Sequence, residues 1–99
     1  MRQKLFTVEG CFKVHGRGVA VTSFERADLP EIELGSWIVL VPSEGQEIIT
    51  EVAGIELFTT VSGRKGVGVL IENVAKEDIP DGTEVYLKES AEKNKSKLI

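Results

Sequence analysis

Side chains suited to nucleophilic or metal chemistry are scarce in this sequence, which contains one cysteine, Cys11, and one histidine, His15. They stand four positions apart in a stretch of alternating apolar residues, where a strand is expected. At about 3.3 Å per residue they would be roughly 13 Å apart, too far for a nucleophile–base pair. One Cys and one His are also too few for a structural zinc site without carboxylate ligands. We therefore expect a small packed or partly exposed thiol at Cys11, and no cofactor and no metal.

Other catalytic motifs are equally hard to find in the sequence. The glycine-rich stretch GRKGVGV (63–69) does not have the spacing of a phosphate-binding P-loop. The carboxylates are scattered, and nothing singles out a catalytic pair. The sequence predicts a protein that is not an enzyme, although an enzyme of unrecognised type stays open as the least favoured hypothesis.

The stretch FKVHGRGVAV (12–21) places Gly16, Arg17 and Gly18 between two runs of alternating residues. Both glycines can adopt the positive φ angles that a tight connection between strands needs. Arg17 would then be displayed at the tip of a turn. Two interpretations stay open, a solvated turn residue, which the usual exposure of loops favours, or a functional side chain.

The elements that must position these residues are strands. Phe6 to Val14 alternates with a period of two, and further strands are predicted over 19–24, 36–42, 47–58, 66–71 and 83–87, with a bulge or bend at Gly54. Only NVAKEDIP (73–80) indicates helix, and Pro80 limits it to about one turn. Six short strands predict an all-β sandwich or barrel. A six-stranded closed barrel is preferred because closure leaves no long apolar edge exposed.

Length and composition are those of one globular domain. The chain has 99 residues, of which 41% are hydrophobic and 28% charged, and we expect a domain over 1–88 and a flexible Lys-rich tail over 89–99. The net charge is −4, and residues 88–99 carry +2, so the preceding part carries −6. Such an acidic body disfavours strong non-specific binding of nucleic acid. The sequence shows no membrane-spanning run and no secretory signal, and its single cysteine suits a reducing compartment, so a cytoplasmic location is expected.

Three segments, GCFKVHGRGVAVTSFER (10–26), TEVAGIELF (50–58) and GVGVLIENVAKEDIPDGTEVYL (66–87), together resemble the second domain of the translational GTPases, closest to elongation factor Tu. The resemblance covers about Phe6 to Leu87. It implies a six-stranded closed Greek-key β-barrel, here standing alone without the GTPase domain, so that no binding of GTP is expected.

The resemblance also implies a binding site, because in elongation factor Tu this barrel receives the aminoacylated 3′ end of tRNA. The implied slot for a terminal nucleotide is lined by Val14, Gly16, Ala20, Glu56 and Leu70, with Arg17 beside it. Small and apolar side chains would form a flat slot for a base, and the Glu56 carboxylate could accept a hydrogen bond from a ribose hydroxyl. An adjoining pocket would be lined by Glu9, Gly10, Phe12, Thr22 and Gly66.

Several residues depart from the family pattern. Gly10 and Gly66 stand where the family usually has Asp and Asn, so polar anchors for an α-amino group are missing. Thr59 replaces a basic residue, and Ser23 replaces a glycine. In the alternative interpretation the pocket residues Phe12, Val14, Ala20 and Leu70 are core or wall residues that serve only the fold, and Glu56 is a solvated strand residue.

We therefore expect a non-catalytic binding module that contacts an RNA 3′ end or a nucleotide. The alternative is a protein–protein interaction module that docks onto a ribosomal or other protein partner or onto itself, as a monomer or weak homodimer. The lysines of the tail, Lys93, Lys95 and Lys97, could touch RNA or belong to a merely solvated terminus.

Overall fold

The computed structural model describes residues 2–88, and all of its regular structure except one helical turn is β-strand. The eight strands are β1 (Gln3–Thr7), β2 (Gly10–Val14), β3 (Gly18–Ser23), β4 (Trp37–Val41), β5 (Ile48–Glu51), β6 (Gly54–Thr59), β7 (Lys65–Ile71) and β8 (Glu84–Leu87). The predicted all-β class is confirmed. The predicted tail over 89–99 lies outside the described residues.

The strands form two antiparallel sheets of four strands each. One sheet has the order β1-β8-β4-β5, and the other has the order β2-β3-β7-β6. The apolar inner faces of the two sheets form one core, whose fully buried side chains include Phe6, Ile38, Leu40, Val69 and Val85. We call the first the β1–β5 sheet and the second the β2–β6 sheet.

The six predicted strands become eight because two of them cross from one sheet to the other. The first crossing lies between β1 and β2. Here the Val8 N–H donates to the carbonyl of Thr83, just before β8, and the Glu9 N–H donates to the carbonyl of Thr22 on β3, both at 2.8 Å. The second lies between β5 and β6, where the Ala53 N–H donates to Leu70 at 2.8 Å. The bend thus begins before the predicted Gly54. Neither sheet closes on itself into a barrel.

The first crossing also changes which residues face the core. Phe6 and Val8 are buried, and the next core residue is Cys11, three positions on. The alternation of apolar and polar residues from Phe6 to Val14 is uninterrupted, so the sequence gives no sign of this change of face. Phe12 is one position away from Cys11, so it lies on the other face of β2 and is 59% exposed on the outside of the β2–β6 sheet.

The predicted turns are found where the glycines indicated them. The Arg17 N–H donates to the Val14 carbonyl at 2.9 Å, and Gly16 between them has a φ of 75°, as the third residue of a type II turn requires. Gly18 also has a positive φ, 145°. The predicted helical turn is a 3₁₀ helix over Lys76–Asp78, ending just before Pro80. Within residues 2–88 there is no helix long and apolar enough to cross a membrane.

Candidate ligand-binding trough

The outer face of the β2–β6 sheet displays every second residue of its four strands, and paired residues on neighbouring strands share that face. Two rows of paired residues cross it. One row consists of Phe12, Ala20, Leu70 and Gly54, and the next consists of Gly10, Thr22, Gly68 and Glu56. The strand register therefore fixes which side chains meet on this surface.

Side-chain size varies across these rows in a way that hollows the surface. The central strands β3 and β7 carry small residues such as Ala20 and Gly68, whereas the outer strands carry the large side chains of Phe12 on β2 and of Glu56 and Phe58 on β6. The result is a trough with a volume of about 470 Å³, roughly 14 Å across, since neighbouring strands lie about 4.8 Å apart. Its lining residues are Phe12, Val14, Arg17, Ala20, Thr22, Gly54, Ile55, Glu56, Phe58, Gly68 and Leu70.

The trough brings together most of the residues expected in the nucleotide slot. Val14, Arg17, Ala20, Glu56 and Leu70 all line it. Gly16 does not, and lies instead beside a second cavity on the other side of the turn. Two residues of the expected adjoining pocket, Phe12 and Thr22, line the same trough. At these residues the expected slot and the expected pocket are therefore a single cavity.

Glu9 lies outside the trough and serves the backbone. Its Oε2 atom accepts hydrogen bonds from the Phe24 N–H at 2.7 Å and from the Ser23 hydroxyl at 3.4 Å, and its Oε1 atom lies 3.7 Å from the Arg64 guanidinium. The Arg64 guanidinium in turn stacks 4.2 Å from the centre of the Phe24 ring. The Glu9 carboxylate is therefore already hydrogen-bonded at the end of β3 and stabilises the backbone there.

Gly66 is also outside the trough, because aromatic rings cover it. The Phe24 and Phe58 rings meet edge to face at 5.6 Å, and a Cβ atom on Gly66 would lie 2.7 Å from Phe58 and 3.0 Å from Phe24. At Gly10 a Cβ atom would lie 2.9 Å from the Thr22 hydroxyl and 3.3 Å from the Phe12 ring. Aromatic rings and a hydroxyl thus fill the space next to both glycines, leaving no room for longer side chains there.

Four lining residues were not expected from the sequence, namely Gly54, Ile55, Phe58 and Gly68. Three of them could have been found from strand periodicity, because Gly54 and Phe58 are in phase with Glu56, and Gly68 is in phase with Leu70. The contribution of Ile55, which also packs against the core, depends on the bend at the second crossing and has no such signal.

The trough is lined by two charged residues, Glu56 and Arg17, and by Thr22, whose hydroxyl donates to the Gly10 carbonyl at 3.2 Å. Neither Glu56 nor Arg17 forms a salt bridge with any other residue in the range 2–88, and both are exposed. Cys11 points to the opposite face of β2, where burial raises the pKa of its thiol, with the nearby carboxylates of Asp81 and Glu77 acting in the same direction against an opposing effect of Lys76. The thiol is neutral near pH 7 and faces away from the trough.

No cluster of three or more His, Cys, Asp or Glu side chains within residues 2–88 is arranged to hold a metal ion. The chemistry available at the trough is stacking on an aromatic ring, hydrogen bonding to a carboxylate and attraction to a guanidinium.

No protein-family model matches the sequence, and no similar sequence was found among curated proteins. The resemblance to the second domain of translational GTPases stays a prediction.

Proposed function

We propose that the trough binds a nucleoside at the end of an RNA strand or in a free nucleotide, and that the protein is a binding module without catalytic activity. The observation that carries the proposal is the convergence of an exposed aromatic ring, a carboxylate and a guanidinium, from Phe12, Glu56 and Arg17, around a floor of small residues. Their chemistry matches a base, a ribose and a phosphate in turn.

The exposed ring of Phe12 supports the base-binding role. A phenylalanine that is 59% exposed loses most of the hydrophobic stabilisation that burial would give it. It stands at one wall of the trough, beside the methyl group of Ala20, to which it is paired across β2 and β3. Stacking of a base on an aromatic side chain is worth about 1–3 kcal/mol, and a millimolar dissociation constant corresponds to about 4 kcal/mol. The ring and the polar groups together could therefore support millimolar binding.

Glu56 supports the role in binding the ribose. It lies on the opposite wall, on β6, and its row places Thr22 and Gly68 between the two walls. A carboxylate is an acceptor only, so it pairs with hydroxyl donors such as those of a ribose. Because it faces solvent without a cation in the described region, it can make this bond without first losing a protein partner.

Titration with adenosine, followed by NMR, tests the proposal. We expect the amide signals of Gly54 and Gly68 to shift at millimolar adenosine, and those of Val61, at the distant tip of the β6–β7 hairpin, to stay in place. Phe12→Ala should weaken binding about 10-fold, since it removes a stacking contact of the size given above. Absence of shifts at Gly54 and Gly68 in both adenosine and an adenosine-ended oligonucleotide would refute the proposed function.

A second titration tests the part played by Glu56. The protein should bind adenosine more tightly than 2′,3′-dideoxyadenosine, and Glu56→Ala should abolish that preference. Glu51→Ala removes an exposed carboxylate from β5 of the other sheet and is the matched control. Equal affinity of the unaltered protein for the two nucleosides would show that the carboxylate does not contact the ribose.

We also infer that the two sheets are the two halves of a six-stranded closed Greek-key barrel. Supporting this, β1 and β2 are joined through Val8 and Glu9, and β5 and β6 through Val52 and Ala53, each by a short connection that keeps its hydrogen bonds to the sheets. β1 and β5 are the edge strands of one sheet, and β2 and β6 are the edge strands of the other. If each joined pair is counted as one strand, every edge strand therefore continues into the other sheet. Slow exchange of the Val8, Glu9 and Ala53 amides, at the rate of the strand amides, would be expected for such closure.

A protein-interaction module is the second candidate, and exposed apolar residues on the β6–β7 hairpin favour it. Leu57 is 61% exposed and Val61 is fully exposed at the tip. If the protein self-associates through this hairpin, its sedimentation coefficient should rise with concentration. In the double variant Leu57→Ser with Val61→Ser the coefficient should be independent of concentration. A single monomeric species at millimolar concentration would argue against self-association.

A further inference from the structure

A second cavity, of about 380 Å³, lies on the other side of the β2–β3 turn from the trough. Its lining includes Lys13, Arg17 and Lys76, as well as the backbone of Gly16. Among residues 2–88, Glu77 is the only carboxylate residue that lines it, so the described side chains carry a balance of +2. This basic cavity shares Val14 and Arg17 with the trough, and the two are therefore adjacent.

The cations of this cavity form no salt bridge with any residue in the range 2–88. Residues 2–87 include eight Lys and Arg side chains, and four of them form salt bridges, in the pairs Arg2–Glu47, Lys4–Glu84, Arg26–Glu31 and Arg64–Glu9. The four without a salt bridge in the described part of the chain are Lys13, Arg17, Lys65 and Lys76. Three of these four line one cavity.

The cavity is locally positive although the chain as a whole is acidic, with 16 acidic residues against 12 basic ones. Like charges that line one cavity repel one another, and a bound anion would screen that repulsion. Lys supplies a point charge and Arg a fork of donors, and both are side chains that bind phosphate.

We propose that the basic cavity binds the phosphate attached to the nucleoside that occupies the trough. This inference rests on the proposed function and extends it, because it makes the ligand a 5′-phosphorylated nucleoside. Arg17, at the tip of the turn, lines both cavities and would contact the nucleoside on one side and its phosphate on the other. Lys13 and Lys76 approach from β2 and from the 3₁₀ helix.

Three ligands separate the contributions of base and phosphate. Adenosine has no phosphate, 5′-AMP has a terminal phosphate, and the dinucleotide CpA has a phosphodiester 5′ to its adenosine. At low salt we expect 5′-AMP and CpA to bind about 10-fold more tightly than adenosine, with the advantage falling as salt is raised. A greater gain for CpA indicates an RNA strand as the source of the phosphate, and a greater gain for 5′-AMP indicates a mononucleotide.

The double variant Lys13→Gln with Lys76→Gln should abolish the advantage of the phosphorylated ligands and leave the affinity for adenosine unchanged. Lys65→Gln, which removes an unpaired cation outside both cavities, is the matched control and should change neither. All three substitutions are at exposed positions, so the folded state should persist, and the NMR spectrum checks this.

The possible outcomes separate the two proposals. If adenosine binds and phosphate adds no affinity, the phosphate site is refuted and the proposed function stands. If 5′-AMP shifts the Gly16 and Gly18 amides in a way that the double variant cancels, while Gly54 and Gly68 stay unshifted with all three ligands, the basic cavity binds phosphate and the nucleoside trough is refuted. If none of the three ligands binds, both proposals fail.

Discussion

The outer faces of the two sheets differ in the size of the side chains on their central strands. On the β1–β5 sheet, the central strands carry Tyr86 and Val39, paired in register with Lys4 and Ile49 on the outer strands. Val39 is only 2% exposed although it lies on the outside of its sheet. On the β2–β6 sheet, the corresponding central positions are occupied by residues such as Ala20 and Gly68, and a trough results.

Charge follows the same division. Over the β1–β5 sheet, Arg2 donates two hydrogen bonds to the Glu47 carboxylate at 2.7 and 3.0 Å, and the Tyr86 hydroxyl donates to Glu84 at 2.6 Å. Beside the trough, Glu56 and Arg17 have no such partners in the described region. One face is thus covered by its own side chains, whereas the other keeps open space and charges without partners in the described region, which is what a ligand-binding face needs.

The largest expected difference between the faces is in the free energy of unfolding. Val39→Ala should lower it by about 2 kcal/mol, because it removes buried methyl groups and leaves a cavity. Phe12→Ala should lower it by less than about 1 kcal/mol, because the ring is largely exposed already. Urea denaturation of the two variants measures both values. Equal losses would show that Phe12 is a structural residue and would weaken its assignment to ligand binding.

A smaller effect is expected from adding a methyl group to the floor of the β2–β6 sheet. Gly68→Ala should leave stability unchanged or raise it by about 0.5 kcal/mol, because its Cβ would meet nothing closer than Thr22 at 3.6 Å and glycine is unfavourable within a strand. Gly66→Ala should cost about 1–2 kcal/mol, because the Phe24 and Phe58 rings would have to shift.

The same pair of variants sharpens the location of the ligand. Gly68→Ala narrows the trough and should weaken binding of adenosine, whereas Gly66 lies outside the lining. Circular dichroism should therefore show that Gly66→Ala, and not Gly68→Ala, lowers stability. NMR titration should show that Gly68→Ala, and not Gly66→Ala, weakens the binding of adenosine. Unimpaired binding to a folded Gly68→Ala protein would place the ligand elsewhere.

The smallest effect concerns the pKa of a carboxyl on the covered face. The hydrogen bonds and charge of Arg2 hold the pKa of Glu47 below its ordinary value of 4.5. A carboxyl whose pKa is lowered by folding stabilises the folded state above about pH 4.5, and that contribution is lost as the pH falls through the lowered pKa. NMR titration should show the Glu47 pKa rising in Arg2→Gln and unchanged in Arg17→Gln. The same pKa in all three proteins would mean that the Arg2–Glu47 pair does not form in solution.

Much of the fold was predictable because local rules governed it. The alternation of 19–24 and 66–71 marked strands correctly, Pro80 limited the helical segment to one turn, and Gly16 and Gly18 marked the turn that presents Arg17. These features depend on residues within a few positions of one another. The two crossings were not predicted, because hydrogen bonds to distant strands, such as that from Ala53 to Leu70, decide where a strand leaves its sheet.

Sequence alone thus determined that the chain is built from short strands, where it turns, and that Arg17 is displayed between two glycines. Only the tertiary structure decided that Phe12 lies outside the core, that Glu9 and Gly66 are closed off from the trough, and that Lys13, Arg17 and Lys76 share a cavity. The physical reason is that alternation specifies two faces of a strand but not which of them is covered. That choice depends on the register and on the size of side chains contributed by strands far apart in the chain.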